Sequence, residues 1–229
     1  MKFGSTQTGL GDVLVFNAVM KHFPMQHTMQ LQPNIERFKI LFDHICKVEI
    51  TDTPNFLEDL NRPITSCAGE KLRNFFGEDA DHLDFRPNIL HFDIEKQKEA
   101  ANILSQYEKP VIFVPFCSKT WAHERNMPDQ LIQSAITSIK DSGGSVILCS
   151  QSNNRKEIEC VDEELINLDL SLYIHILRNA GAYVGCNTGD MHLAVGVGCD
   201  CSVFNPTKED AFYKIWCYKH PNVTNYTWS

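Results

Sequence analysis

AYVGCNTGDMHLAVGVGCDCSVFN, residues 182–205, decides the fold. A short strand-like run, AYVGC, halts at the turn Asn187-Thr188-Gly189, and TGDMHLAVGVG then follows with helical character up to Gly198. A second strand-like run, CSVFN, comes directly after. Two strands joined by one helix make a parallel βαβ unit, because a hairpin turn cannot connect parallel neighbours.

The same grammar extends upstream. VIFVPFC (Val111–Cys117) reads as a buried strand, and DQLIQSAITSIKDSGG as a helix with an acidic first turn and a glycine stop. SVILCS (Ser145–Ser150) is the next strand. A polar helix is expected around Asn154–Val161, a weak strand near Leu165–Leu168, and a helix SLYIHILRNAG ending on Gly181. The first half repeats the pattern less sharply. It offers strand KFG, a helix from about Gly11 to His22, strand TMQLQ, helix NIERFKILFDHI and strand KVEIT. The stretch from Pro54 to Phe92, rich in Pro, Asn and Gly, takes no assignment, and a charged helical stretch, DIEKQKEAANILSQYEK, precedes Pro110. The expectation is α/β, with two small Rossmann-like domains over residues 1–108 and 109–229, each built on a parallel sheet, and a cleft between them. Ligands of such sheets bind at the carboxyl ends of the strands.

The 229 residues are 43% hydrophobic and 22% charged, a core-forming composition, and the net charge of −8 argues against a nucleic-acid or anionic-membrane surface made of bulk positive charge. Nine cysteines, an odd number, fall mostly in apolar runs. With no signal-like N-terminus and no apolar stretch approaching membrane-span length, the reading is reduced thiols in a cytoplasmic protein without a transmembrane segment. Cys199-Asp-Cys201 has no second close pair at zinc-ligand spacing, so small hydrophobes around a strand are the better reading. The Asn-x-Thr triplets at Asn222 and Asn225 carry no meaning in that compartment.

Chemistry can live on three strand-to-helix loops. In STQTGLGDVLVFNAV, Gly9 and Gly11 allow a tight turn and a close ligand approach, and Asp12 follows at the helix start. No Gly-Lys-Ser/Thr follows, and the third glycine of a dinucleotide fingerprint is missing. From these residues Asp12 reads as a first-turn carboxylate favoured by the helix dipole, with a reactive acid as the alternative. Asn187-Thr188-Gly189 offers backbone N–H donors and a hydroxyl suited to a diphosphate, with His192 about one helical turn on; a capped helix with a core histidine is the alternative. The loop FCSKTWAHERNMPDQ gathers Ser118, Lys119, Thr120 and Arg125, hydroxyls and cations in an acidic chain, and a solvated loop is the competing reading.

Together these marks resemble glycosyltransferase family nine, the heptosyltransferase-like enzymes of the GT-B fold. Gly9-Leu10-Gly11-Asp12-Val13-Leu14, with Pro24 after the helix, resembles the family's N-terminal Gly-x-Gly-Asp-Val/Ile-Leu. Asn187-Thr188-Gly189-Asp190-Met191-His192-Leu193-Ala194, with Pro206-Thr207 beyond, resembles its C-terminal Asp-Thr-Gly-x-x-His-Leu-Ala and Gly-Pro-Thr. Here Asn187 stands for the family's aspartate and Asn205 for its glycine. Arg125 and Pro128 match the cation three residues before a proline in the family's phosphate loop.

The resemblance implies an inverting glycosyltransferase that needs no bound metal or cofactor and takes a nucleotide-diphosphate sugar, ADP-heptose by default. It implies Asp12 as general base and Gly9 and Gly11 as the acceptor-side loop. Ser118, Lys119, Arg125, Asn187, Thr188, Gly189 and His192 would hold the donor phosphates. The acceptor would be a glycan or glycolipid, reached through peripheral membrane contact in the glycolipid case. The C-terminal segment AFYKIWCYKHPNVTNYTWS would pack back on the first domain, as the last helix does in this fold. A non-catalytic nucleotide-sugar-binding protein and a dinucleotide oxidoreductase remain as competing classes.

Overall fold

The computed structural model describes residues 2–5, 9–22, 28–52, 86–117, 124–150, 157–206, 218 and 220–228. The chain divides into two compact units, Met1–His91 and Phe92–Ser229.

In the first unit, β1 (Lys2–Ser5), β2 (Thr28–Leu31) and β3 (Lys47–Ile50) form a parallel sheet in that order, with Lys2 opposite Thr28 and Thr28 opposite Lys47. Helix α1 (Leu10–Met20) connects β1 to β2 and buries Val13, Leu14, Ala18 and Met20. The expected helix over NIERFKILFDHI is a 3-10 helix, Pro33–Leu41. Its buried residues Ile35, Phe38 and Leu41 recur every third position, the period of that tighter winding, and Pro33 suits its first turn.

Asn17 ties this unit together. Its fully buried side chain accepts the Asn88 N–H at 2.6 Å and donates to the Asn88 carbonyl at 3.1 Å, pairing with one peptide as a neighbouring strand would. It also donates to the Leu41 carbonyl. Lys21 Nζ adds a bond to the Arg86 carbonyl at 2.7 Å, so α1 anchors the segment that leads out of the unit.

The second unit opens with α2 (Ile94–Leu104). Its sheet contains β4 (Pro110–Val114), β5 (Ser145–Ser150), β6 (Glu163–Ile166), β7 (Ala182–Cys186), β8 (Asp200–Asn205) and β9 (Val223–Thr227), all parallel, in the order β6-β5-β4-β7-β8-β9. Renumbered from β4, this is the doubly wound order 3-2-1-4-5-6, whose reversal of direction lies between β4 and β7. Helix α3 (Asp129–Asp141) buries Ile132, Ala135, Ile136 and Ile139, one stripe of helical period, against Phe113, Val146 and Leu148. Helix α4 (Leu170–Ala180) ends on Gly181 at φ 72°, a left-handed cap that glycine adopts without strain. Helix α5 (Gly189–Val197) is buried from Asp190 through Val195, which explains why its sequence shows no polar face.

Three expectations are corrected. Residues 94–104, placed before the expected boundary at 108/109, group with the second unit. The reason is a polar lock between α2 and α4. The Asp93 N–H donates to His175 Nε2 at 3.0 Å, His175 Nδ1 lies 3.0 Å from Gln97 Oε1, and Gln97 Nε2 donates to Asn179 Oδ1 at 3.1 Å. Asp93 in turn caps α2, accepting the Glu95 and Lys96 amides. Second, the described part of the polar helix expected over 154–161 is not helical. Ile158 is buried in the core, the chain turns at Cys160 (φ 67°), and Asp162 accepts the Val146 N–H at 2.7 Å on the way into β6. Third, the tail is not a helix where it is described: β9 extends the second unit's own sheet, with Tyr226 stacked on Phe204 at 4.9 Å.

Asn17→Ala removes both bonds to Asn88 and orphans the Leu41 carbonyl. It is expected to lower stability to urea by about 2–3 kcal/mol; an unchanged midpoint would show the anchor to be dispensable.

Candidate functional site

The reversal of strand order brings two distant loops to one sheet edge. β4 ends at Val114 and β7 at Cys186, neighbours in register with Val114 opposite Gly185. Gly185 is required there: a Cβ would lie 2.4 Å from the Val114 carbonyl oxygen and 2.8 Å from the Tyr183 hydroxyl. Bonds among its described residues hold the loop after β4. The Cys117 N–H donates to Asn126 Oδ1 at 2.7 Å and the Met127 N–H to the Pro115 carbonyl at 2.9 Å.

Arg125, on that loop, is only 8% exposed, and its Nη1 donates to the Asn187 carbonyl at 3.1 Å. A guanidinium is thereby seated against the turn that starts α5. The Asn187 side chain does not cap that helix. Its Nδ2 donates to Asn205 Oδ1 at 3.0 Å, linking the ends of β7 and β8, while Asn205 Nδ2 reaches the Tyr226 carbonyl of β9 at 3.4 Å. The N-cap is Thr188, in extended conformation, and Gly189 is already the first helical residue. Thr188 makes no side-chain capping bond; its Oγ1 donates instead to Asp190 Oδ2 at 3.2 Å. The other carboxylate oxygen, Oδ1, is buried without a hydrogen-bond partner. Burial pushes the Asp190 carboxyl above its ordinary range, although the nearby Tyr173 hydroxyl favours the ionised form.

His192 is turned to Tyr218, with Nδ1 2.6 Å from the hydroxyl and the rings edge-on at 5.6 Å. Burial, reinforced by the charge of Arg125, pushes its pKa down to about 3, so the ring is neutral at physiological pH. Among the described residues, Arg125 and the amides of the first turn of α5, which have no intrahelical acceptors, suit an anionic ligand. Among the described residues, no group of three or more His, Cys, Asp and Glu side chains could hold a metal ion. Cys199 and Cys201 are buried, their thiols donating to the Leu177 and Cys199 carbonyls.

The other expected positions divide. Gly9 precedes α1, its carbonyl accepting the Val13 N–H at 3.2 Å, whereas Gly11 lies inside the helix and not in the turn. Asp12 is in the first turn of α1, and only its backbone is described. Ser118 and Lys119 lie outside the described residues. The sequence reading missed Tyr218, which no spacing links to His192, and the amide pair Asn187–Asn205, whose only signal was the coincidence of two asparagines at the two strand ends.

No protein-family model and no curated protein sequence matches this chain. Solved structures do. The chain superposes on a family 9 glycosyltransferase from Veillonella parvula with a TM-score of 0.69 at 11% identity, covering 99% of this chain and 85% of that one. For the E. coli ADP-heptose lipopolysaccharide heptosyltransferase II the values are 0.60 and 10%, covering 98% and 89%. For the dodecameric, iron-containing heptosyltransferase TibC in complex with ADP-D-β-D-heptose they are 0.62 and 14%, covering 97% and 61%. The resemblance carried by the motifs therefore extends to the fold, which is that of the GT-B-like heptosyltransferases.

Two outcomes are expected. Gly185→Ala forces β4 and β7 apart and should cost about 2–3 kcal/mol in thermal or urea unfolding. For His192, the folded ring stays neutral down to about pH 3, while the unfolded ring takes a proton below its ordinary value near 6.5. The unfolded state thus binds more protons in that window, and stability falls as pH drops from 6.5 toward 3. His192→Gln should flatten this part of an unfolding-temperature-versus-pH curve; parallel curves would contradict the assignment.

Proposed function

We propose that the chain is a glycosyltransferase that moves a sugar from a nucleotide-diphosphate donor to an acceptor hydroxyl, with inversion and without a metal cofactor. The observation that carries the reading is the seat of Arg125 against the Asn187-Thr188 turn, at the strand-order reversal of a doubly wound sheet. As the glycosidic bond to the diphosphate breaks, negative charge grows on the leaving group. Fixed helix amides and a desolvated guanidinium can stabilise it without reorganising. Ser118 and Lys119, on the same loop as Arg125, would add a hydroxyl and a second cation. Neutral His192 would serve by packing behind the turn rather than as a charged ligand.

Asp12, with Gly9 and Gly11 on the acceptor side, is the general base in this reading, its carboxylate accepting the acceptor's proton. ADP-heptose is the default donor, since the E. coli and TibC proteins of like fold are described with it. A glycan or glycolipid is the acceptor class. No helix among the described residues is long and apolar enough to cross a membrane, so contact with a glycolipid would be peripheral; the proposed place of action is the cytoplasm. TibC is described as iron-containing, and no step here is assigned to a metal.

A calorimetric panel of ADP-heptose, other nucleotide sugars and NAD tests the donor class; a preference for NAD would sink the transferase reading. With the preferred donor, Asp12→Ala should keep the dissociation constant within about twofold. Release of nucleoside diphosphate in the presence of acceptor should fall by about a hundredfold or more. Transfer at the original rate would remove Asp12 from the role of base.

A further inference from the structure

The acid at position 190 has no assigned part in the transfer, yet its placement is unusual. It sits in the first turn of α5, 8% exposed, near enough to Tyr173 of α4, Cys149 of β5 and Tyr183 of β7 for its charge to raise the pKa of each. One carboxylate oxygen has a single 3.2 Å bond, from Thr188, and the other has none. A buried carboxylate so poorly partnered is costly, and an apolar side chain of similar size would be expected to serve the core better.

What that cost achieves is visible at the helix start. A threonine at the N-cap ordinarily turns its hydroxyl oxygen onto the amide of the second or third helical residue. Thr188 occupies the N-cap in the extended conformation that permits this, and makes no such bond. Its hydroxyl is drawn to Asp190 instead. A hydroxyl can donate and accept at once, so the competition is one of orientation: turned to the carboxylate, the Thr188 oxygen makes no bond to the first-turn amides, which are left without the protein's own side-chain cap.

We propose that Asp190 is a positioning residue that holds the Thr188 hydroxyl off the helix cap and so keeps the first-turn amides of α5 open to the phosphates of the donor. The inference rests on the reading of this turn as the diphosphate site. It adds that the site is kept vacant of self-capping by an acid that weakens the fold. Asp190 does not touch the ligand; it acts through Thr188.

The test compares Asp190→Leu, which removes the acceptor for Thr188, with Asp190→Asn, which retains one. ADP binding is measured by calorimetry, unfolding by temperature, and exchange of the Met191 amide by ligand-free hydrogen exchange. In Asp190→Leu the hydroxyl returns to its cap. The Met191 amide should exchange more slowly, the unfolding temperature should equal or exceed that of the unaltered protein, and the ADP dissociation constant should rise roughly tenfold. Asp190→Asn should bind ADP as the unaltered protein does. Affinity lost together with stability in Asp190→Leu would make Asp190 a purely structural residue, and equal losses in both variants would make its charge the active feature; either result overturns the proposal. If the unaltered protein does not bind ADP, the diphosphate reading fails on its own. Met191 exchange then still decides the positioning: unchanged protection in Asp190→Leu overturns it.

Discussion

The parallel ladder between β4 and β7 is the constraint on which the second unit depends. It sets Val114 beside Gly185 so closely that only a residue without a side chain fits. The strand after which the chain winds one way is thereby hydrogen-bonded to the strand after which it winds the other. At such a junction the chain leaves neighbouring strand ends in opposite directions, which in folds of this kind places a crevice at the carboxyl ends of the strands. Arg125 and Asn187 are brought together by this pairing, although they are 62 positions apart in the chain, with three strands and two helices between them.

Around that opening, polar side chains hold backbone in place. Arg125 binds the Asn187 carbonyl, Asn126 binds the Cys117 amide, and the Asn187–Asn205 pair joins β7 to β8 and, through the Tyr226 carbonyl, to β9. The first unit relies on the same device at Asn17, and the second repeats it where His175 of α4 accepts the Asp93 N–H at the start of α2. Amides suit this task. They satisfy peptide groups in both directions while carrying no charge to desolvate. That accounts for an asparagine at 187 without loss of order at the turn, because its side chain is engaged across the sheet edge and Thr188 takes over the cap position.

The strands of the second unit were legible because buried parallel strands are short unbroken apolar runs, as in Val111–Val114 and Val146–Cys149. Helices α3 and α4 were legible from their period and their stops. Segments whose form depends on distant partners were not. Residues 157–161 carry helix-tolerant residues, but Ile158 is drawn into the core against α3, and the entry into β6 is set by Asp162 binding Val146. The tail's expected place came from the resemblance alone, yet pairing along β8 makes a strand of Val223–Thr227. The helix 94–104 has no mark in its sequence of which unit it joins; His175, far along the chain, supplies it.

The sequence by itself determined the alternation of strand and helix, the two-unit α/β class and the three loops where chemistry can reside. These follow from local periodicity and from turn residues, which act within a few positions of one another. Tertiary structure alone decided which groups meet. It gave Arg125 to the Asn187 carbonyl, took the Thr188 hydroxyl from its cap to Asp190, and made His192 neutral by burying it beside Tyr218 and Arg125. Desolvation and hydrogen-bond competition depend on every neighbour in space, and residues close in space need not be close along the chain.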